Sequence, residues 1–405
     1  MEFLNFNGIR IPRPRSSTEL EMRYASEDYL RSSFPAGEYT KAEDINSILK
    51  FQFQFYYNLL SNYLNQIASW DLLSFLLYQF DLASEIEQLD KDGLLNRDEI
   101  ERWRAIGPNL RRAIKYLSEQ VVMLNKQELD QTKISQEQFL TLIERSLICA
   151  EQMAALYQLS DVSFSVFPDY VRLTILPDNE DNYLVFEVLK DGIHIGEQMQ
   201  SRVLYDRSNR QRFIPSTATV NVFNLQEQDR LIGESFKDTI GTSYGEAMGI
   251  IAKLISSSEP PPPELPIPFI HRGKAISLIS QVSGLNRKVI RKVIAGFSIS
   301  KKQMESEGRE IWKPRQEYRA LRRGFFEFPH PTGLHLIFSK NMAMESLVTL
   351  SKDVVFGKLP YEWKNDATDE AISKLSNQAG KWFEEVVKDN LNNLGFSGFK
   401  SVKKL

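Results

Sequence analysis

"KAISLISQVSGLNRKVIRKVIAGF", Lys274 to Phe297, carries two separate runs of helical spacing. Ile276, Ile279 and Val282 line one face of a first helix, and Val289, Val293 and Ile294 line one face of a second. Ser283 to Leu285 supplies the turn between them. Asn286, whose carboxamide oxygen can accept from the backbone of the next turn, is the expected N-cap. Helix, short glycine-containing turn, helix is the order of a helix-turn-helix. It leaves Arg287, Lys288, Arg291 and Lys292 on the outer face of the second helix. Any helical hairpin supplies the same pattern, so a packed hairpin with a solvated cationic face is the competing reading.

Toward the C-terminus the basic character continues. Between Arg287 and Arg323 stand 12 Lys plus Arg against 4 Glu, among them Lys301, Lys302, Lys313, Arg315, Arg319, Arg322 and Arg323. Trp312, Tyr318, Phe325 and Phe326 are interleaved or follow directly. Cations neutralise phosphates and aromatic faces stack on unpaired bases, so this composition points to nucleic acid. A solvated helix face over core aromatics is the plainer alternative. "GLHLIFSKNMAMESL" then reads as strand, turn and helix. His330 and His335 have no carboxylate or cysteine neighbours in sequence and read as structural. Residues 271–373 are thus expected to form a basic, helix-turn-helix-like α/β module.

Toward the N-terminus lies "SSSEPPPPELPIP", Ser256 to Pro268. Four consecutive prolines fix φ and remove donors, which favours a stiff spacer; residues 256–270 are read as a linker between domains. A Pro-rich ligand for an aromatic groove is the alternative. Before the linker the period is two: "VSFSVF", "YVRLTIL" and "YLVFEVL" alternate around "PDNEDN" and precede "DG", as in an antiparallel meander, with "ATVNVF" as a further strand and "SYGEAMGIIAKLISS" as a helix. Residues 159–255 are therefore expected to be antiparallel sheet plus helix, and residues 41–158, where apolar spacing is three and four, a helical region. Asn96 and Glu99 have the arrangement of a capping box. Residues 1–40, with Pro12, Pro14, Pro35 and Gly37, read as an extended arm. The fold class is α+β: an N-terminal helical region with antiparallel sheet, then the basic module.

At 405 residues the chain is long enough for two or three cores, and 42% hydrophobic with 25% charged residues is ordinary for a globular protein. The net charge of -3 hides an asymmetry. Residues 271–405 hold 24 basic against 14 acidic side chains, and residues 1–270 hold 26 against 39. The second half is suited to an anionic partner, or the halves to each other or to partner proteins. No apolar run is long enough to span a bilayer, so no membrane partner is expected; Trp70 to Phe80 is short and carries Asp71. The start lacks a secretory h-region, and the single Cys149 cannot form an internal disulfide and sits on an apolar helix face, so a reducing cytoplasmic compartment is expected.

"QLDKDGLLNRDE", Gln88 to Glu99, aligns with an EF-hand calcium loop, with Asp90, Asp92 and Glu99 as metal ligands. Gln88 stands where the loop needs its first carboxylate, and the same letters also serve as a helix-to-helix turn. No phosphate loop, dinucleotide fingerprint, nucleophile elbow or zinc-protease motif is present.

The closing stretch "LSNQAGKWFEEVVKDNLNNLGFSGFKSV" has helical spacing at Trp382, Phe383, Val386, Val387, Leu391 and Leu394, with Gly395 in place for a left-handed cap. Gly380, Phe383, Glu384, Val387, Leu391, Gly395 and Phe396 resemble the opening helix and first strand of the PD-(D/E)xK, restriction-endonuclease-like nucleases. The resemblance implies that Glu384 takes the metal-site position of that helix, and that residues 374–405 begin a nuclease-like domain. The family's later Asp and Glu-x-Lys, which hold Mg²⁺ and steady the attacking water or phosphate charge, have no counterpart here. The expectation is a nucleic-acid-binding protein of a processing or defence system with an incomplete nuclease-like C-terminus. It needs no cofactor of its own, and Mg²⁺ only where a complete nuclease domain exists. The alternative is a protein-protein assembly subunit.

Overall fold

The computed structural model describes residues 1–124, 134–166, 171–177, 186–190, 193–194, 225–257, 267–306, 320–354, 357 and 359–393. Among them are twelve α-helices and small sheets, an α+β protein. The chain divides into two compact units, one built on the N-terminal half and one on residues from 225 onward, with 300–306 belonging to the first. No helix among the described residues is long and apolar enough to cross a membrane.

In the first unit, β1 (Glu2–Phe6) and β2 (Ile9–Arg13) form an antiparallel hairpin. The extended arm expected for residues 1–40 is therefore not what forms: a hairpin, α1 (Ser16–Arg31) and β3 (Gly37–Tyr39) occupy it. Asn7 and Gly8 take φ of 47° and 89°, the left-handed pair that a two-residue hairpin turn requires and that asparagine and glycine tolerate best. Phe6 and Ile11 are fully buried, and the Phe6 ring meets Trp103 edge-on at 5.8 Å.

Four long helices follow, α2 (Ala42–Leu64), α3 (Ser69–Lys91), α4 (Arg97–Leu124) and α5 (Gln136–Val166). α2 packs on α5 and α3 on α4. Their inward positions, such as Leu49, Phe53, Leu76, Phe80, Ile114 and Leu147, are buried. Cys149 is also buried, and burial pushes its thiol well above the ordinary range, so it acts as an apolar filler. Of the strand expected at "VSFSVF", Val162 to Val166 form the last turns of α5. Extending a helix already formed adds one hydrogen bond per residue fixed, and this outweighs the alternation of a short β-branched run. β4 (Val171–Ile175) and β5 (Phe186–Lys190) pair antiparallel as expected, extended by β3 on one side and β6 (Ile193–His194) on the other. "ATVNVF" lies outside the described residues.

The second unit has α6 (Leu225–Ile240), α7 (Tyr244–Ser256), α8 (Arg272–Ser283), α9 (Arg287–Phe297), α11 (Lys340–Asp353) and α12 (Asp366–Asn393) around a four-stranded sheet. Its strand order is β7 (Phe269–His271), β10 (Gly333–Ile337), β9 (Phe325–His330), β8 (Ser298–Ile299), with only β8 and β9 parallel. Two expected boundaries move. α6 and α7 fall in the stretch expected to go with the antiparallel sheet before the linker, but Phe236, Tyr244, Ile251 and Leu254 share one core with Ile276, Ile290, Val293 and Phe297 of α8 and α9. The spacer's last residues, Phe269 and Ile270, form the edge strand β7. The division at 373/374 falls inside the continuous α12, whose Ile372, Leu375 and Ala379 enter the same core.

Candidate nucleic-acid interface

The helical hairpin of α8 and α9 is built locally as the sequence dictates. α8 ends in Gly284 at φ 72°, a left-handed cap that glycine adopts without Cβ strain. Ser280 Oγ donates to the carbonyl of Leu285 at 2.7 Å and holds the turn. Asn286 Oδ1 accepts from the backbone N–H of Lys288 at 2.8 Å, the predicted N-cap of α9. Ile290, Val293, Ile294 and Phe297 are fully buried and fix the rotation of α9. Val282, expected to face inward, is 52% exposed, as is Leu278 at 50%.

That rotation leaves Arg287, Lys288, Arg291 and Lys292 exposed. Lys292 Nζ donates to the carbonyl of Thr239 at 2.7 Å, in the last turn of α6, where the helix dipole favours a cation. Arg287, Lys288 and Arg291 have no acidic partner among the described residues. Two of them stand in the first turn of α9, which holds no acidic residue. A helix N-terminus favours carboxylates, by about 0.3–1 kcal/mol each, so these cations oppose the stability of their own helix.

The remaining candidates separate. Arg323 was expected on the cationic surface but is fully buried: its guanidinium donates to the carbonyl of Ser298 at 3.0 Å and to both oxygens of Glu362 at 3.1 and 2.7 Å. A guanidinium with five donors can be buried only when such acceptors surround it. Arg322 is buried as well, at 8% exposure. Lys301 and Lys302 are exposed at the head of α10 (Lys301–Ser306), in the first unit, where Lys301 Nζ lies 3.9 Å from Glu305. Trp312, Lys313, Arg315 and Arg319 lie outside the described residues.

Glu384 and Glu385 are exposed on α12, while Gly395 and the segment expected as a strand are outside the described residues. The three carboxylates of the calcium-like loop do not converge. Gln88 Nε2 donates to Asp92 Oδ1 at 2.9 Å, and Asp90 lies 4.0 Å from Arg104. Glu99 completes a capping box with Asn96 and accepts from the backbone of Asn7 at 2.8 Å. These donors hold the Glu99 carboxyl below the usual carboxylate range, the Asn96 backbone most of all. Among the described residues no group of three or more His, Cys, Asp or Glu is placed to hold a metal ion.

The structure also gathers residues that the sequence kept apart. His271 of β7 and His335 of β10 are register partners with ring centroids 5.1 Å apart, and His330 of β9 is 5.2 Å from His335. The His330–His335 pair was legible in principle, because a two-residue turn at Pro331–Thr332 puts both on one sheet face. His271 joins them only through long-range pairing.

No protein-family model, no curated protein and no solved structure matches this chain.

Proposed function

We propose that the second unit binds nucleic acid through the outer face of α9, in a nucleic-acid-processing or defence role. The observation that carries this reading is the set of three cations, Arg287, Lys288 and Arg291, that lack acidic partners among the described residues, the first two of them in the first turn of α9, where helix stability favours acids. Residues kept against local stability are candidates for a partner's charge. Guanidinium groups at 287 and 291 lie one turn apart on one face, suited to phosphate oxygens or to the O6 and N7 edge of guanine. The resemblance of Gly380 to Phe396 to the start of a PD-(D/E)xK domain supports the processing role. Cleavage is not assigned to this chain, whose Glu384 has no matching Asp and Glu-x-Lys in the sequence.

The test is anisotropy of labelled single- and double-stranded DNA and RNA with the full chain and with an Arg287→Gln, Lys288→Gln, Arg291→Gln variant. All three positions are exposed, so the variant keeps the fold. Wild-type affinity is expected to fall steeply with salt, and the variant to lose about 2–3 from the log–log slope, near 0.7–0.9 per phosphate contact. An unchanged slope rejects the site. The second reading, a protein-protein assembly subunit, draws on Leu278 and Val282 standing half exposed on α8. Association through them would respond little to salt.

A further inference from the structure

We propose that the cleft between α8 and the β9–β10 turn is a binding site for the phosphate group of a small, freely diffusing ligand. The cleft has a volume of about 690 Å³ and is lined by His271, Lys274, Ser277, Gln281, Thr332 and His335, beside one glycine and one leucine. None of its lining residues is acidic. This distinguishes it from an ordinary surface groove, where charges of both signs are mixed.

The polar groups converge from two directions. Lys274, Ser277 and Gln281 stand at i, i+3 and i+7, one stripe of α8, and their side chains make no hydrogen bond or ion pair with described residues. From the sheet come the two register-paired imidazoles of His271 and His335 and the Thr332 hydroxyl. The imidazoles are held by their inner nitrogens. His271 Nδ1 accepts from the backbone N–H of Gly273 at 3.1 Å and caps α8. His335 Nδ1 lies 2.8 Å from the carbonyl of Gly333, which makes it a donor. The bonds leave each Nε2 for other company, with Thr332 Oγ1 at 3.4 Å from that of His335.

Three of the chain's four histidines thus meet on one sheet face near an ammonium, with no carboxylate in the lining. The charged groups around them are of one sign. Lys274 and the neighbouring imidazoles disfavour a proton on His335, and burial does so more strongly, which holds it below the ordinary histidine range. The nearest sheet carboxylate, Glu327 of β9, is engaged by Arg272 at 3.0 Å and belongs to the strand position whose partner is Leu336, the opposite face from His335. Thr332 Oγ1 is already engaged by His330 Nδ1 at 2.9 Å, and a phosphate group offers what the rest of the cleft lacks: acceptors for the ammonium, the Ser277 hydroxyl and the carboxamide, and negative charge that favours protonated imidazole.

The proposal is independent of the α9 reading. Its test is a titration of the full chain with inorganic phosphate and with pyrophosphate at fixed ionic strength, following the histidine Cε1–H signals by NMR, each assigned with a single His→Gln variant. Saturable movement of the His271 and His335 signals is expected, with the His335 midpoint of protonation rising. Lys274→Ala, at an exposed position, is expected to weaken binding about fivefold, as for one lost, partly screened ion pair. Non-saturable shifts, shifts reproduced by chloride, or unchanged affinity in Lys274→Ala overturn the proposal. So does movement produced by a DNA oligonucleotide and not by pyrophosphate, which would assign the phosphate to a polymer. The Arg287, Lys288 and Arg291 variant is expected to bind pyrophosphate as the wild type does, so the two readings fail separately.

Discussion

Arg323 and Glu362 form a two-pronged ion pair across the second unit, Nη2 to Oε2 at 2.7 Å and Nη1 to Oε1 at 3.1 Å, with the arginine side chain fully shielded from water. The same guanidinium accepts no charge from α9 but ties down its end, donating to the carbonyls of Ala295 and Ser298. One side chain therefore joins the C-terminus of the proposed recognition helix, the start of β8 and the turn at Tyr361–Trp363. Removing one partner of a buried pair leaves an uncompensated charge, which costs about 3–5 kcal/mol. Glu362→Ala is expected to lower the urea midpoint of the second unit by that equivalent. Arg323→Met with Glu362→Leu, which removes both charges, is expected to recover much of the loss. A double variant as unstable as the single one would show that the arginine's carbonyl bonds dominate.

Gly296 and Trp363 are the second coupling of this kind. The indole Nε1 donates to the carbonyl of Lys292 at 3.0 Å, and a Cβ built on Gly296 would fall 2.1 Å from that nitrogen. Only a bare Cα lets the ring lie flat on α9. Gly296→Ala is expected to destabilise the unit by about 3 kcal/mol, despite alanine's higher helix propensity, because the fully buried Trp363 has nowhere to move. Trp363→Leu should cost stability alone yet make Gly296→Ala nearly neutral, and additive losses would reject the contact.

These two couplings mark where the sequence was readable. The turn at Gly284 and Asn286, the capping box of Asn96 and Glu99, and β10 followed by α11 were each carried by residues within a few positions, so local chemistry decided them. Asn7–Gly8 was an equally local hairpin signal, masked by the prolines around it. Arg323 looked like its neighbours in a basic run, and nothing nearby announces Glu362, 39 positions away. Val282 kept helical spacing with Ile276 and Ile279 but lies in the last turn of α8, where the core no longer reaches. Charge composition thus counted Arg322 and Arg323 with the exposed cations of the basic module, because a run of cations does not say which one the core will take.

Acid should weaken the second unit through His335. Its protonation is disfavoured in the fold by burial first, and then by His330, His271 and Lys274, with the Gly333 carbonyl opposing. A histidine depressed on folding contributes stability that is present above its unfolded value near 6.5 and is lost as pH falls through the folded value. The unfolding free energy is therefore expected to drop as pH falls below about 6.5. His335→Phe, which keeps a ring to stack on Phe269, now 3.9 Å away, should flatten that slope. An unchanged slope would place the acid sensitivity elsewhere.

The first unit should show the opposite trend through Glu151. This half-buried carboxyl on α5 is pushed up to about 7, chiefly by burial, with Glu19 adding repulsion and Arg13 opposing. A carboxyl raised on folding contributes stability that is fully present below its unfolded value near 4.5 and is lost as pH rises through about 7. At pH 8 the fold carries an ionised group it holds poorly. Glu151→Gln keeps the shape and removes the charge, so it is expected to stabilise the unit by about 1–2 kcal/mol at pH 8 and to be neutral near pH 4.5. Glu19→Gln should capture a smaller part of the same gain, because it removes the repulsion and leaves the burial. Urea unfolding of the full chain and both variants across that range decides it. A Glu151→Gln chain no more stable than wild type at pH 8 would mean that water reaches the carboxyl and that burial is not what governs it.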